Sequence, residues 1–248
     1  MDLSFLTLLV LAFIGSVAGL IGGIIFLFNK FLAKILASYA VPFAAGVLLS
    51  VSFLDLLPEA VDEIGKSAFP IILAVFIVLF LVEKFLFHLH HHNGEEHDKK
   101  DIVPLVIFGD TVHNLLDGVA IGASFLASPS LGLLVTLATF LHETPHEIAD
   151  FGILISAGWT RKRAFWANFF SSLATFPGAI FAYFYSGGID SLSGVLVAVA
   201  AGFFLYVSTT DFIPETKKVS GVSSFKTVSF LILGMALTIL LGVLLPHA

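Results

Sequence analysis

The segment that decides how this chain folds is TFLHETPHEI (Thr139–Ile148), in which two histidines and two glutamates interrupt an apolar helical sequence. A second polar cluster, HNLLDG (His113–Gly118), lies in the apolar stretch before it. Ionisable groups inside a bilayer are costly and mark functional sites. From Ile102 to Thr160 the chain has five carboxylates and three histidines but no Lys or Arg. Local salt bridges are therefore excluded, and protons or a bound metal cation remain to neutralise these groups.

The composition is that of a polytopic membrane protein. The 248 residues are 58% hydrophobic and only 12% charged, whereas soluble domains carry about 25% charged residues. A membrane span needs roughly 20 apolar residues, and the sequence predicts an all-α protein with a single transmembrane domain, residues 1–248. Eight spans are predicted: Leu3–Phe28, Tyr39–Leu57, Phe69–Phe87, Val103–Leu126, Leu131–Ile155, Ala164–Ser186, Leu192–Phe212 and Val228–Leu245. The chain has no cysteine, which excludes disulfides and thiolate metal ligands.

The basic residues predict the orientation of the chain, because Lys and Arg collect in cytoplasmic loops. Under the eight-span arrangement, eleven of the twelve basic residues lie on one side, and Lys66 alone lies on the other. This places both termini outside. It places the loop after the third span in the cytosol.

Two similar motifs predict an internal repeat. The second span ends in Asp55-Leu56-Leu57-Pro58-Glu59 and the seventh in Asp211-Phe212-Ile213-Pro214-Glu215. The predicted topology puts them on opposite faces of the membrane, as an inverted repeat does. We therefore expect a 3+2+3 arrangement in which the middle two spans carry the polar clusters. A chance match of two helix ends is the alternative.

The segment 88–101 is low-complexity and rich in histidine. Such tracts bind metal loosely. The alternative is a solvated connector, and in either case we expect transport not to require this loop.

The spacing of polar residues in the fourth and fifth spans predicts a metal site. Residues three and four apart share a helix face, which aligns Asp110, His113 and Asp117, and likewise His142 with His146. Imidazole and carboxylate groups together bind borderline divalent metals. A purely structural polar network is the alternative, and Asp110 and Asp150 can equally line an entrance or exit. Pro145 cannot donate to the carbonyl of Leu141, so it loosens the helix beside the cluster.

The two motifs, HNLLDG and His142-Glu143-Thr144-Pro145-His146-Glu147, resemble the signature of the ZIP (Zrt/Irt-like) metal transporters. The second is close to the H-E-x-P-H-E form of the LIV-1 branch, which the stretch Ala201–Glu215 also resembles. The resemblance covers nearly the whole chain. It implies uptake of a divalent metal into the cytosol without ATP hydrolysis, by an elevator-like sliding of one helix group against another.

The resemblance also implies the ligands. A first site would use His113, Asp117, His142 and His146. An adjacent second site would use Asn114 and Glu143, with Asp117 and His146 shared, and Glu147 would belong to the exit. Thr175 stands where some bacterial members supply a glutamate, which weakens the second site.

A rival function comes from another class of protein. His142-Glu143-Thr144-Pro145-His146 satisfies H-E-x-x-H, the motif of zinc proteases in which Glu acts as general base. Pro145 inside the motif and the surplus of ligands argue against an intramembrane metalloprotease, since a catalytic zinc needs only three protein ligands. A metal sensor without flux stays open. We expect no enzyme and no resident cofactor.

The expected partners are divalent metal ions and the lipid bilayer. Zinc is the first choice of metal, with Fe, Mn, Cd and Co open because their ligand preferences overlap. We expect the plasma membrane as location and no nucleic-acid partner. The resemblance implies a homodimer.

Overall fold

The computed structural model describes residues 3–90, 103–186, 192–218 and 223–245, and the described residues form helices and turns without a β-strand. The all-α class is thereby confirmed. The helices are α1 (Leu3–Gly15), α2 (Ile21–Phe28), α3 (Lys30–Val51), α4 (Leu57–Ile64), α5 (Ala68–His90), α6 (Val103–Ala127), α7 (Pro129–Ser156), α8 (Arg161–Ser172), α9 (Thr175–Ser186), α10 (Leu192–Val207), α11 (Ile213–Lys218) and α12 (Ser224–Leu244).

Five of the described helical segments are long and apolar enough to cross a membrane. They are Leu3–Phe28, Lys30–Phe85, Val103–Ala127, Leu192–Lys217 and Ser224–Leu244. The second holds two of the predicted spans, separated at Gly65, whose φ of 62° breaks the helix. The polar cluster of α7 lowers its hydropathy, and a break after Ser172 divides the predicted sixth span into α8 and α9. Membrane-crossing character is confirmed, while the eight-span count stays a prediction.

The surface is apolar, as a bilayer requires. Phe28, Phe225 and Leu3 are 82%, 81% and 77% exposed. Exposed apolar areas of this kind mark contact with a membrane or another protein.

The polar helices α6 and α7 lie at the centre of the bundle. Ser128 alone separates them, and its hydroxyl accepts the backbone N–H of Leu131 at 3.0 Å, which caps α7. Such a cap followed by Pro129 begins a helix abruptly. α6 packs chiefly against α9, α7 and α10, while α7 also contacts α1, α2 and α3. The residues that sequence singles out are therefore enclosed by other helices.

Reciprocal glycines bring α6 and α9 together. A Cβ at Gly118 would overlap the carbonyl oxygen of Thr175, and one at Gly178 would overlap that of Leu115. The pair α3 and α12 meets in the same way through Gly46 and Gly234. Small residues of this kind let membrane helices approach closely.

The two D-x-x-P-E motifs share an unusual backbone. A π-helical turn overlaps the start of each motif, at Ser52–Leu56 and at Ser208–Phe212, and a helix with Pro at its second position follows each turn. Pro58 and Pro214 lack the N–H that an α-helical bond would need. The same deviation at the same motif position supports the internal repeat, and its inversion stays a prediction.

Candidate metal centre

The polar faces of α6 and α7 meet inside the bundle. Most of the ionisable and amide residues on these faces are less than 10% exposed, among them Asp110, His113, Asn114, Asp117, His142, Glu143 and Glu147. Asp150 is also buried, and the side chain of His146 is 24% exposed. Helical spacing alone placed these residues on facing stripes, and their donor atoms form three groups.

The first group comprises His113, Asp117, His142 and Glu143, whose donor atoms all lie within 4.8 Å of one another. The Nε2 atoms of the two histidines are 3.1 Å apart. Asp117 Oδ2 is 3.6 Å from Nε2 of His113 and 3.5 Å from that of His142. Glu143 Oε1 is 3.2 Å and 3.7 Å from the same two nitrogens. In a tetrahedral zinc site with bonds of about 2.0–2.2 Å, ligand atoms lie roughly 3.3–3.6 Å apart. The group therefore has the dimensions of a four-ligand site.

Hydrogen bonding presents one imidazole as a ligand. Nδ1 of His142 lies 3.0 Å from the carbonyl oxygen of Ala138 and must donate, because a carbonyl only accepts. In the neutral ring, Nε2 then carries a lone pair that faces Nε2 of His113 and the two carboxylates. Donation of the other ring N–H is how metal-ligating histidines are usually oriented.

Aromatic side chains enclose this first group. The ring centroid of Phe204 is 5.5 Å from that of His142, and the centroid of Phe203 is 5.0 Å from that of His113. They exclude water from that side, which strengthens electrostatic attraction for a cation.

His146 lies in a different group, with Asp110 and Asp150. Its Nδ1 is 3.6 Å from Asp150 Oδ2, and its ring stacks on His113 with centroids 4.7 Å apart. The family resemblance had assigned His146 to the first site. In this structure its donor atoms instead group with those of Asp110 and Asp150, beside the first site.

Glu147 belongs to a third group, with Asp110 and Glu143. It is fully buried, and neither of its carboxylate oxygens has a hydrogen-bond partner among the described residues. This group shares Glu143 with the first group and Asp110 with the second.

Protein groups already occupy the amide of Asn114. Its Nδ2 donates to the backbone and side-chain oxygens of Asp110 at 3.0 Å and 2.9 Å. Its Oδ1 accepts from Ser16, and from Thr175 at 3.3 Å. Thr175 therefore lies beside Asn114, where the resemblance placed it. Ser16 was missed, and the only signal was a serine among glycines in the first predicted span.

In the part of the chain that the structure describes, no Lys or Arg forms an ion pair with these carboxylates. Their ion pairs there are all with histidines. Among the described residues, the buried carboxylate oxygens without a hydrogen bond belong to Asp110, Asp117, Glu143, Glu147 and Asp150. Burying an unpaired charge is so costly that these groups need protons or cations.

A cavity of about 520 Å³ reaches the second group and the edge of the first. It is lined by the C-terminal halves of α5, α7 and α10 and the N-terminal half of α6, and it touches Asp110, His113, His146 and Asp150. In the sequence, these helix ends adjoin residues 91–102 and Arg161–Arg163, for which the basic residues predict a cytosolic location. The predicted His-rich loop, 88–101, lies largely outside the described residues. On the opposite side the helices pack closely, with Ala120, Ala123, Val135 and Ala138 buried.

The geometry gives the metalloprotease no support. H-E-x-x-H chemistry needs both histidines on one zinc with the glutamate left as base. Here His142 and His146 fall in separate groups, and Glu143 lies in the same group as His142.

The proteins to which this chain is similar are consistent with a membrane protein that binds metal. The family model described as ZIP Zinc transporter matches residues 3–104 and 95–242. Human zinc transporter ZIP6 is 37% identical over 133 residues, which cover 52% of this chain and 18% of that protein. Zinc transporter ZIP4 of Rattus norvegicus is 44% identical over 115 residues, 46% of this chain and 17% of that protein. The zinc transporter foi of Drosophila melanogaster is 41% identical over 111 residues, 45% of this chain and 16% of that protein.

The chain thus matches less than a fifth of the length of these curated relatives. ZIP6 and ZIP4 are members of the LIV-1 branch, which confirms the resemblance carried by the two motifs. Because the family model covers almost all the described helices, including both polar ones, the chain belongs to the ZIP zinc transporter family.

Proposed function

We propose that this protein carries a divalent cation, zinc before other metals, across the membrane into the cytosol without ATP hydrolysis. The observation that carries the proposal is the buried group of His113, Asp117, His142 and Glu143, which borders a cavity on one side of the bundle. The relatives of this chain are named zinc transporters. Two imidazoles with two carboxylates suit Zn and also accept Fe, Mn, Cd or Co.

The site has the ligand chemistry of a carrier. A transport site must release its ion as well as bind it, and this group lacks the thiolates that hold structural zinc most tightly. The first group would bind the cation, while Asn114 orients Asp110 through its amide. His146 and Glu147 would take the cation on its way out, and Pro145 would leave the carbonyl of Leu141 free beside the path.

The proposed architecture is eight spans in a 3+2+3 arrangement with an inverted repeat and external termini. The matching π-helical turns and the central position of α6 and α7 support it. Elevator-like movement would slide α1, α2 and α6–α9 against the remaining helices. The close packing on one side and the cavity on the other fit one end state of such a movement.

The proposed location is the plasma membrane, with the His-rich loop in the cytosol, and the proposed assembly is a homodimer. The orientation rests on the basic residues. The dimer rests on the resemblance alone, and mass measurement of the detergent-solubilised protein tests it.

Zinc influx into proteoliposomes tests the function. Vesicles loaded with a zinc-sensitive dye are compared for wild type and Asp117→Asn, which removes one ligand charge at nearly constant shape. We expect saturable influx in the wild type and its loss in the variant. Asp62→Asn is the matched control, because Asp62 is an exposed carboxylate of α4 that belongs to none of the three donor groups. We expect this variant to transport zinc normally.

Two outcomes contradict the proposal. Full saturable influx by Asp117→Asn would contradict the assignment of this site. If the folded wild type shows no zinc influx, the proposal of transport is refuted. A peptide-cleavage assay would then test the metalloprotease alternative.

A further inference from the structure

We propose that Asp110, His146 and Asp150 form a second cation site, which receives the ion from the first group and releases it into the cavity. The inference rests on the proposed transport function and assigns its release step to named residues. It makes Asp110 and Asp150 ligands of the cation. From the sequence, both could equally be ligands or line an entrance or exit.

The three donor atoms are suitably placed. One donor atom from each residue lies within 4.8 Å of the others. His146 and Asp150 are one turn apart on α7, and Asp110 faces them from α6. Asp110 and Asp150 are 3% and 6% exposed, and all three residues line the cavity. Three protein ligands leave positions open for water or a departing ion.

Buried polar atoms without a hydrogen bond point to a ligand at this place. Asp110 Oδ2, His146 Nδ1 and Asp150 Oδ2 are buried and have no hydrogen-bond partner among the described residues. The other oxygen of Asp110 accepts the amide of Asn114 at 2.9 Å, which orients the carboxylate and leaves Oδ2 for the group. A proton shared between the two aspartates would require a hydrogen bond between them, and these oxygens make none. A cation held by one donor atom from each residue would neutralise both carboxylates.

A bridge connects this site with the first group. Glu143, Glu147 and Asp110 also have oxygens within 4.8 Å of one another, so Glu143 reaches towards the first site and Asp110 towards the second. An ion can therefore pass between the sites while keeping oxygen ligands. With three ligands and a partly exposed His146, the second site should bind more weakly than the first. A chain of sites of this kind permits both entry and exit.

Equilibrium dialysis of the purified full-length protein against zinc tests the inference. Wild type, Asp150→Asn, His142→Ala and their double variant are compared at saturating zinc. We expect Asp150→Asn and His142→Ala each to lose one bound ion and the double variant to lose two. The histidines of the loop are present in every sample, so differences between variants isolate the two intramembrane sites.

The control variant is Asp211→Asn. Asp211 is an exposed carboxylate that lines the same cavity but belongs to none of the three groups. It should keep the wild-type number of ions, which separates coordination from the general attraction of negative charge. Asp110→Asn serves as a second variant if Asp150→Asn fails to fold.

Failure of this inference differs from failure of the transport function. If Asp150→Asn and Asp110→Asn, as folded protein, bind as many ions as wild type, the second site is refuted even where zinc influx persists. If the Asp211→Asn control loses an ion as well, coordination by the three residues is also refuted. If His142→Ala binds as wild type does while Asp150→Asn loses an ion, the second site stands and the first group is refuted.

Discussion

At the scale of single residues, the proposed metal ligand Asp110 is oriented by a chain of buried polar side chains. Ser16 reaches from the end of α1 to Asn114, and its hydroxyl is also 3.1 Å from the carbonyl oxygen of Ser172. Asn114 in turn holds Asp110. A buried amide of this kind is stabilising only while its partners are present, because an unsatisfied polar atom is costly in an apolar interior.

Replacing Ser16 by Ala should therefore destabilise the protein by about 1–3 kcal/mol, the usual cost of leaving a buried polar group unpaired. Unfolding in detergent, followed by circular dichroism, measures it. Ser38→Ala is the matched control, because the half-buried Ser38 donates to the carbonyl of Lys34 within its own helix, and its effect should stay below about 0.5 kcal/mol. Equal stability of the two variants would contradict the role of Ser16.

At the scale of helices, close approach through glycine positions the ligand-bearing face of α6. Gly118 follows Asp117 directly and contacts the backbone of α9 at Thr175. The helix that supplies His113 and Asp117 is thereby packed against the helix whose threonine contacts Asn114. Separating α6 from α9 would change the packing and the site together.

The substitution Gly118→Ala should force these helices apart and lower stability by about 1–3 kcal/mol, the usual cost of overpacking. Zinc affinity should fall with it, since Asp117 moves with its helix. Thermal unfolding and zinc titration measure the two effects. Gly109→Ala on the same helix is the control, because a Cβ there meets nothing within 4 Å. A stable Gly118→Ala protein with unchanged zinc affinity would show that this contact does not position the site.

At the scale of the whole molecule, a cavity connects the candidate metal centre with one side of the helix bundle. The cavity lies among the helix ends that basic residues assign to the cytosol, while the other halves of α6 and α7 are packed. This asymmetry is a property of the assembled bundle, because it depends on α5 and α10 as much as on the ligand-bearing helices.

Single cysteines test this asymmetry, and the cysteine-free sequence provides the background. Val112→Cys lines the cavity and should react with a membrane-impermeant maleimide in inside-out vesicles but far more slowly in intact cells. Ala123→Cys, at a fully buried position of the same helix, should react slowly in both preparations. Gel-shift labelling rates provide the measurement. Faster labelling of Val112→Cys from outside would reverse the proposed orientation.

Several features followed from local sequence. The helical class, the membrane character and the identity of the ligand-bearing residues depend on composition and on the helical spacing of three and four residues. The pair of D-x-x-P-E motifs was recognisable because proline and acidic residues recur in order. The break between α8 and α9 was not predicted, because an apolar stretch does not show where its backbone bonds are interrupted.

Only the tertiary structure decided which ligands come together. His142 and His146 are four residues apart and share a helix face, yet Nδ1 of His142 is bonded to Ala138 while His146 stacks on His113 and approaches Asp150. Ser16 and Thr175 reach Asn114 from 98 and 61 residues away. Sequence by itself determined the donors and their helices, because both depend on local spacing. Their division into groups depends on how separate helices pack, since packing distances set which donor atoms can share one cation.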